Sequence, residues 1–159
     1  MVKARTPAWM NPRAISNITI HCAATPRGRN TTAEQISAMD IARADLGNQI
    51  AYHYVIELDG KTVQTLRHDQ RGAHTGGHNT GNIGICYVGG VEADKAMTPA
   101  DTRTQAQKIA LLALLRKLRT EYPKARILGH RDWGAKKACP SFDVATWCKA
   151  VGIEPVVKS

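Results

Sequence analysis

The run from Asn82 to Gly90, NIGICYVGG, limits what this chain can fold into more than any other stretch. It is short, almost wholly apolar and closed by a glycine pair, which reads as a strand near the middle of a sheet, covered on both faces. Three other segments have strand character. ISNITIHCAAT alternates β-branched residues, sending Ile18, Ile20 and Cys22 to one face and Thr19 and His21 to the other. AYHYVIELDGKTVQTLR reads as a hairpin around Asp59-Gly60, with Tyr52, Tyr54, Ile56 and Leu58 on one face and Ala51, His53 and Val55 on the other. ARILGHRD is a last short strand.

Helical patterns lie between them. Thr31 and Glu34 have the spacing of a capping box ahead of a helix that Gly47 stops. Ile36, Met39, Ala42, Arg43 and Leu46 form its packing side, and no chemistry is expected there. Thr98-Pro99-Ala100-Asp101 reads as the start of a longer helix running to about Tyr122. Its expected buried stripe is Ile109, Leu112, Leu115 and Leu118, with Arg103, Arg116, Lys117 and Arg119 outside. DVATWCKAVG, capped by Asp143 or Ser141, is the last helix, with Cys148 packed inside it. The expectation is an α/β fold: a single domain with a central mixed β-sheet of about five strands flanked by about three helices. The domain is expected over 15–150, with a loose N-terminal arm over 1–14 and a C-terminal tail over 151–159 that is mobile from Ile153.

A formal charge of +9 on 159 residues points to a polyanionic partner. The basic residues are spread along the chain, and no recognition motif supports nucleic acid as that partner. No apolar run has the length of a signal peptide or a membrane span, so synthesis in the cytoplasm without membrane insertion is expected. Cys22, Cys86, Cys139 and Cys148 form no CxxC pair and read as free thiols or metal ligands.

GHRDWGAKKACPSFD, Gly129 to Asp143, carries the strongest chemical signal. His130 and Cys139 offer the imidazole and thiolate that zinc favours. His21, at a strand end on the more polar face, would by itself read as a hydrogen-bonded histidine; with the other two it completes three ligands on separate supports. A structural zinc site uses four protein ligands and an open catalytic one uses three, so a catalytic site is the better match. Lys137, two residues before Cys139, stands where a cation could hold a developing oxyanion, whereas Lys136 reads as an exposed loop lysine. Tyr52 is either a packed tyrosine or a donor to the same oxyanion. The glycine-rich stretch 71–81, with His74 and His78, reads as an exposed loop of the kind that carries ligand-binding groups.

In order along nearly the whole chain, IHCAAT, AYHY, GAHTGGHNTGNIGICYVGG and GHRDWGAKKACPSFD resemble the type 2 zinc-dependent N-acetylmuramoyl-L-alanine amidases, above all the small lysozymes of short-tailed coliphages. The resemblance implies one zinc ion per chain, bound by His21, His130 and Cys139, and catalytic roles for Tyr52 and Lys137. It implies a substrate contact for His74 and structural or exposed places for His53, His68 and His78. The implied reaction is hydrolysis of the amide between N-acetylmuramic acid and L-alanine in bacterial peptidoglycan, with water activated on zinc. The implied setting is a monomeric endolysin made in the host cytoplasm that reaches the wall once another protein has permeabilised the membrane. A recycling amidase of the same family tends to carry aspartate where Cys139 stands, and a binding-only relative lacks the cysteine.

Overall fold

A computed structural model describes residues 2–157; the expectations for positions 1, 158 and 159 fall outside the described residues. Strand β1 spans Asn17–Cys22, β2 Thr25–Pro26, helix α1 Ala33–Ile41, β3 Tyr54–Ile56, β4 Thr62–Gln64, β5 Asn82–Tyr87, β6 Gly90–Val91, α2 Gln105–Glu121, β7 Arg126–Gly129 and α3 Val144–Ala150. Five strands make one sheet in the order β4-β3-β5-β1-β7, and β2 and β6 form a small second ladder. β5 is the central strand, parallel to both β1 and β3, while β7 runs parallel to β1 and β4 closes the other edge antiparallel to β3. The mixed sheet and, among the described residues, three α-helices are the architecture read from the segment pattern.

Strand alternation divides the sheet's burden between its faces. Ile18, Ile20, Cys22, Tyr54, Ile56, Ile83, Ile85, Tyr87 and Ile127 point one way, onto Leu111, Leu114, Leu115 and Leu118 of α2 and Val144 and Cys148 of α3. Each fully buried side chain of this kind contributes roughly 1.5–3 kcal/mol. The opposite face holds a smaller apolar cluster of Val55, Cys86 and Val88 against Ala33 and Ile36 of α1. It also carries Thr19 and His21, both buried.

Several local expectations shift. The capping box of α1 is Thr32 with Gln35, one position later than the Thr31–Glu34 spacing suggested. Met39 is half-exposed, and Asp40 is the buried residue, accepting from the Ala51 N–H at 3.2 Å. The long helix starts at Thr104, not Thr98, again with a complete capping box, to Gln107. Residues 98–100 are instead drawn into extended contact with β6: Glu92 N–H donates to the Thr98 carbonyl, Ala100 N–H to Gly90. The Gln107 amide, buried, then donates to the Ile56 and Val88 carbonyls, which fixes the helix start against the sheet. The buried stripe therefore passes through Leu111 and Leu114, while Ile109 is 62% exposed. Arg103 is buried, paired with Asp101 and stacked 3.4 Å over the Phe142 ring.

The ends are more ordered than their composition suggested. Met10 is 2% exposed within the main core, and Met10 N–H donates to Asp69 and Arg71 N–H to Ala8. At the other end Ile153 is buried, and Ile127 N–H donates to the Pro155 carbonyl at 2.8 Å.

Candidate metal centre

Two potential ligands follow from neighbouring parallel strands. Because Ile18, Ile20 and Cys22 enter the main core, His21 must leave on the opposite face, at the C-terminal end of β1. β7 pairs with β1 as far as Gly129 opposite Ile20, so the next residue, His130, emerges beside it. The two imidazole centroids are 4.6 Å apart. Cys139 arrives on a loop that the sheet holds closely. The Arg131 N–H donates to its carbonyl at 2.9 Å, the Tyr87 hydroxyl to the Pro140 carbonyl, and the Ser141 hydroxyl to the Gly90 carbonyl. Gly129 permits this approach, since a Cβ there would lie 2.9 Å from Pro140 Cδ and 3.0 Å from Val144 Cγ2.

The ligand-type atoms of His21, His130 and Cys139 all lie within 4.8 Å of one another. His21 Nδ1 is 3.8 Å from Cys139 Sγ. On a tetrahedral zinc with bonds of about 2.0 and 2.3 Å, such atoms stand roughly 3.3–3.7 Å apart, so this donor set fits the ion with little movement. Among the described residues no other three histidine, cysteine or acidic side chains offer ligand atoms so close together.

The electrostatics favour the neutral imidazoles that a metal requires. Burial first, then His74, His130 and Lys137, hold His21 well below the usual histidine value. Burial and then Lys137 lower His130. Contact with the Cys22 thiol and burial push the Cys139 thiol up. The Cys22 backbone N–H, 3.2 Å from Cys139 Sγ, acts the other way, and a metal cation would complete the shift to thiolate.

Around the three lies a cleft of about 180 Å³. Tyr52 and Lys137 line it; Lys136 does not. Tyr52 departs from its expected face. β3 begins only at Tyr54, so alternation does not extend back to residue 52, and Tyr52 packs on the Val55–Cys86 side with its ring 5.3 Å from that of His21. Burial raises its phenol well above the usual value, which keeps the proton available for donation. The expected helix ends at Ile41, and Arg43 and Leu46, at the 3-10 turn that follows, also line the cleft, which the reading of that segment as chemically silent missed. The available signal was a cation on the packing side of that helix.

The loop expected to be exposed folds inward at its middle. His74 and Thr75 are buried, and His74 Nδ1 is 3.0 Å from His21 Nε2. His53 is fully buried between Gln70 and Gly84, His68 bridges the Tyr54 and Tyr122 hydroxyls, and His78 is exposed and stacked on Trp133.

Residues 11–142 match the protein family described as N-acetylmuramoyl-L-alanine amidase. The endolysin of Enterobacteria phage K11 is 36% identical over 134 residues, covering 84% of this chain and 85% of the relative. The endolysin of Escherichia phage T7 is 37% identical over 131 residues, 82% of this chain and 83% of its own. Among solved structures, the N-acetylmuramoyl-L-alanine amidase LysC from Clostridium intestinale superposes with a TM-score of 0.71 at 22% identity, over 96% of each chain. Drosophila peptidoglycan recognition protein SD does so with 0.71 at 20% identity, over 98% of this chain and 92% of that one.

Proposed function

The chain belongs to the N-acetylmuramoyl-L-alanine amidase family, and within it we propose that His21, His130 and Cys139 hold one zinc ion while Tyr52 and Lys137 stabilise the transition state. It is a hydrolase of the phage endolysin kind, cutting the amide between N-acetylmuramic acid and L-alanine in peptidoglycan. The observation that carries the zinc reading is the convergence of two imidazoles and one thiol within 4.8 Å in the lining of a cleft.

Zinc bound there supplies Lewis acidity toward the amide carbonyl and lowers the pKa of water to about 7. The chain's own residues supply the rest. Tyr52, un-ionised and beside His21, donates its phenolic proton toward the oxygen that becomes negative as the carbonyl turns tetrahedral. Lys137, exposed and lining the same cleft, places a positive charge on the same oxygen. Burial and the charge of Lys137 keep His21 and His130 unprotonated, so neither competes with the substrate for a proton. The net charge of +9 suits attraction to an anionic wall. Among the described residues no helix is long and apolar enough to cross a membrane.

Mass spectrometry of digested sacculi is expected to show stem peptides with a free N-terminal L-alanine, and metal analysis one zinc per chain. Removing zinc with a chelator is expected to abolish clearing, and added zinc to restore it. Cys139→Ala is expected to lose zinc and to drop hydrolysis by more than about 100-fold while keeping the fold. An undiminished Cys139→Ala enzyme would overturn the ligand assignment, and glycan-strand cleavage in place of free L-alanine would overturn the bond assignment.

A further inference from the structure

His74 stands behind His21 on the side away from Cys139, and its surroundings leave little freedom. Its Nε2 lies 3.1 Å from the Asn82 carbonyl oxygen. A carbonyl can only accept, so Nε2 carries the proton. The ring is 6% exposed, and with its one proton on Nε2 the other nitrogen, Nδ1, keeps a lone pair. That lone pair faces His21 Nε2 at 3.0 Å and the Thr75 hydroxyl at 2.9 Å. An accepting Nδ1 requires His21 to be protonated at Nε2. The bare nitrogen of His21 is then Nδ1, which is the one 3.8 Å from Cys139 Sγ.

We propose that His74 is a positioning residue: through the Asn82 carbonyl it sets the tautomer and ring orientation of His21, leaving Nδ1 of His21 free for the metal. The inference rests on the zinc reading above. It gives His74 a role beyond the substrate contact that the family resemblance implied: both ring nitrogens have partners within the protein, while the residue also lines the cleft.

The fold makes specific room for this ring. A Cβ on Gly84, in the central strand β5, would sit 2.6, 2.7 and 2.9 Å from three ring atoms of His74. One on Gly72 would sit 2.8 Å from its Cδ2. The loop is pinned in register as well. The N–H groups of His74 and Thr75 both donate to Asn79 Oδ1, at 2.9 and 2.7 Å, and the Asn82 amide donates to the His78 carbonyl at 2.9 Å. A histidine that only filled space would need the slot in β5 but not an acceptor at a defined height.

The test measures zinc affinity apart from activity. Asn places its amide oxygen near the position of Nδ1 and is always an acceptor; Leu fills the slot without one. By competition with a chromophoric chelator, His74→Leu is expected to bind zinc about 10–100-fold more weakly, and His74→Asn within about threefold of the parent protein. In the zinc-free parent protein, long-range proton–nitrogen NMR spectra should show His21 protonated at Nε2. Three results would overturn the proposal: His21 protonated at Nδ1, His74→Leu with unchanged zinc affinity and a raised KM, or equal loss in the two variants at equal thermal stability. The NMR arm needs no variant, so a misfolded substitution cannot rescue the idea. If the parent protein itself takes up no zinc, the metal reading fails first, and that outcome is seen before any variant is made.

Discussion

The two faces of the central sheet differ in what they bury, although they are built from the same strands. One face stacks isoleucine, tyrosine and leucine against α2 and α3 and contains the larger core. The other buries Thr19, His21, His53, His74 and Asn82, with a small apolar cluster beneath α1. Neighbouring residues on one strand, Ile20 and His21, thus serve packing and chemistry respectively. A buried polar face is tolerable only when its groups are paired. Here the pairing runs without a break: Trp133 Nε1–H to the Thr19 hydroxyl, Thr19 to the Asn82 side chain, His74 to the Asn82 carbonyl, and His21 to His74. The apolar face is expected to tolerate volume-conserving changes, whereas the polar face depends on which atom carries each proton.

That contrast can be broken from either side. On the apolar face, Leu115→Ala should cost about 2–5 kcal/mol of unfolding free energy in denaturant titration. It should leave zinc affinity and kcat near their parent values at temperatures where the variant is folded. A large fall in kcat in the folded variant would mean that the faces are not separable. On the polar face the pattern should invert. Tyr52→Phe is expected to lower kcat by about 10²–10³-fold, with the zinc affinity and melting temperature little altered; stopped assays on soluble muropeptides and calorimetry would measure both.

A smaller effect should appear in pH. His53 is buried, and burial lowers its pKa to about 4. The unfolded chain therefore binds a proton at about pH 6.5 that the folded chain refuses until about pH 4. The stability this residue contributes is complete above the unfolded value and is lost as pH falls through that window, by at most about 3 kcal/mol. Asp40 acts in the opposite sense: burial raises it to about 6, so its contribution is greatest below its unfolded value and falls as pH rises through about 6. Comparing the pH slope of stability in the parent protein with that in His53→Gln isolates the histidine. An unchanged slope would show that His53 is not held neutral.

Much of this division was legible in the chain. Alternation in NITIHC assigned Ile18, Ile20 and His21 to their faces, and the unbroken apolar run NIGICYV marked the central strand. Both rest on a period of two that holds once a segment is a strand. Tyr52 shows where the rule stops: it lies two residues before β3, where the backbone is no longer a ladder. The shift of the long helix from Thr98 to Thr104 has a similar origin. Two capping sequences competed, and pairing of residues 98–100 with β6 used the first as extended chain. The inward fold of the glycine-rich loop depended on Asn79 and on an empty slot at Gly84, and neither announces itself in composition.

The sequence by itself determined the residue types able to hold a metal, the strand faces that present them and the order of the motifs that mark the family. Local periodicity and donor chemistry are properties of short segments, so they survive without coordinates. Only the tertiary structure decided that His21, His130 and Cys139 meet, that Lys137 and not Lys136 borders their cleft, and that His74 contacts the ring of His21. Those outcomes depend on parallel strand register and loop closure, which bring together residues more than a hundred positions apart.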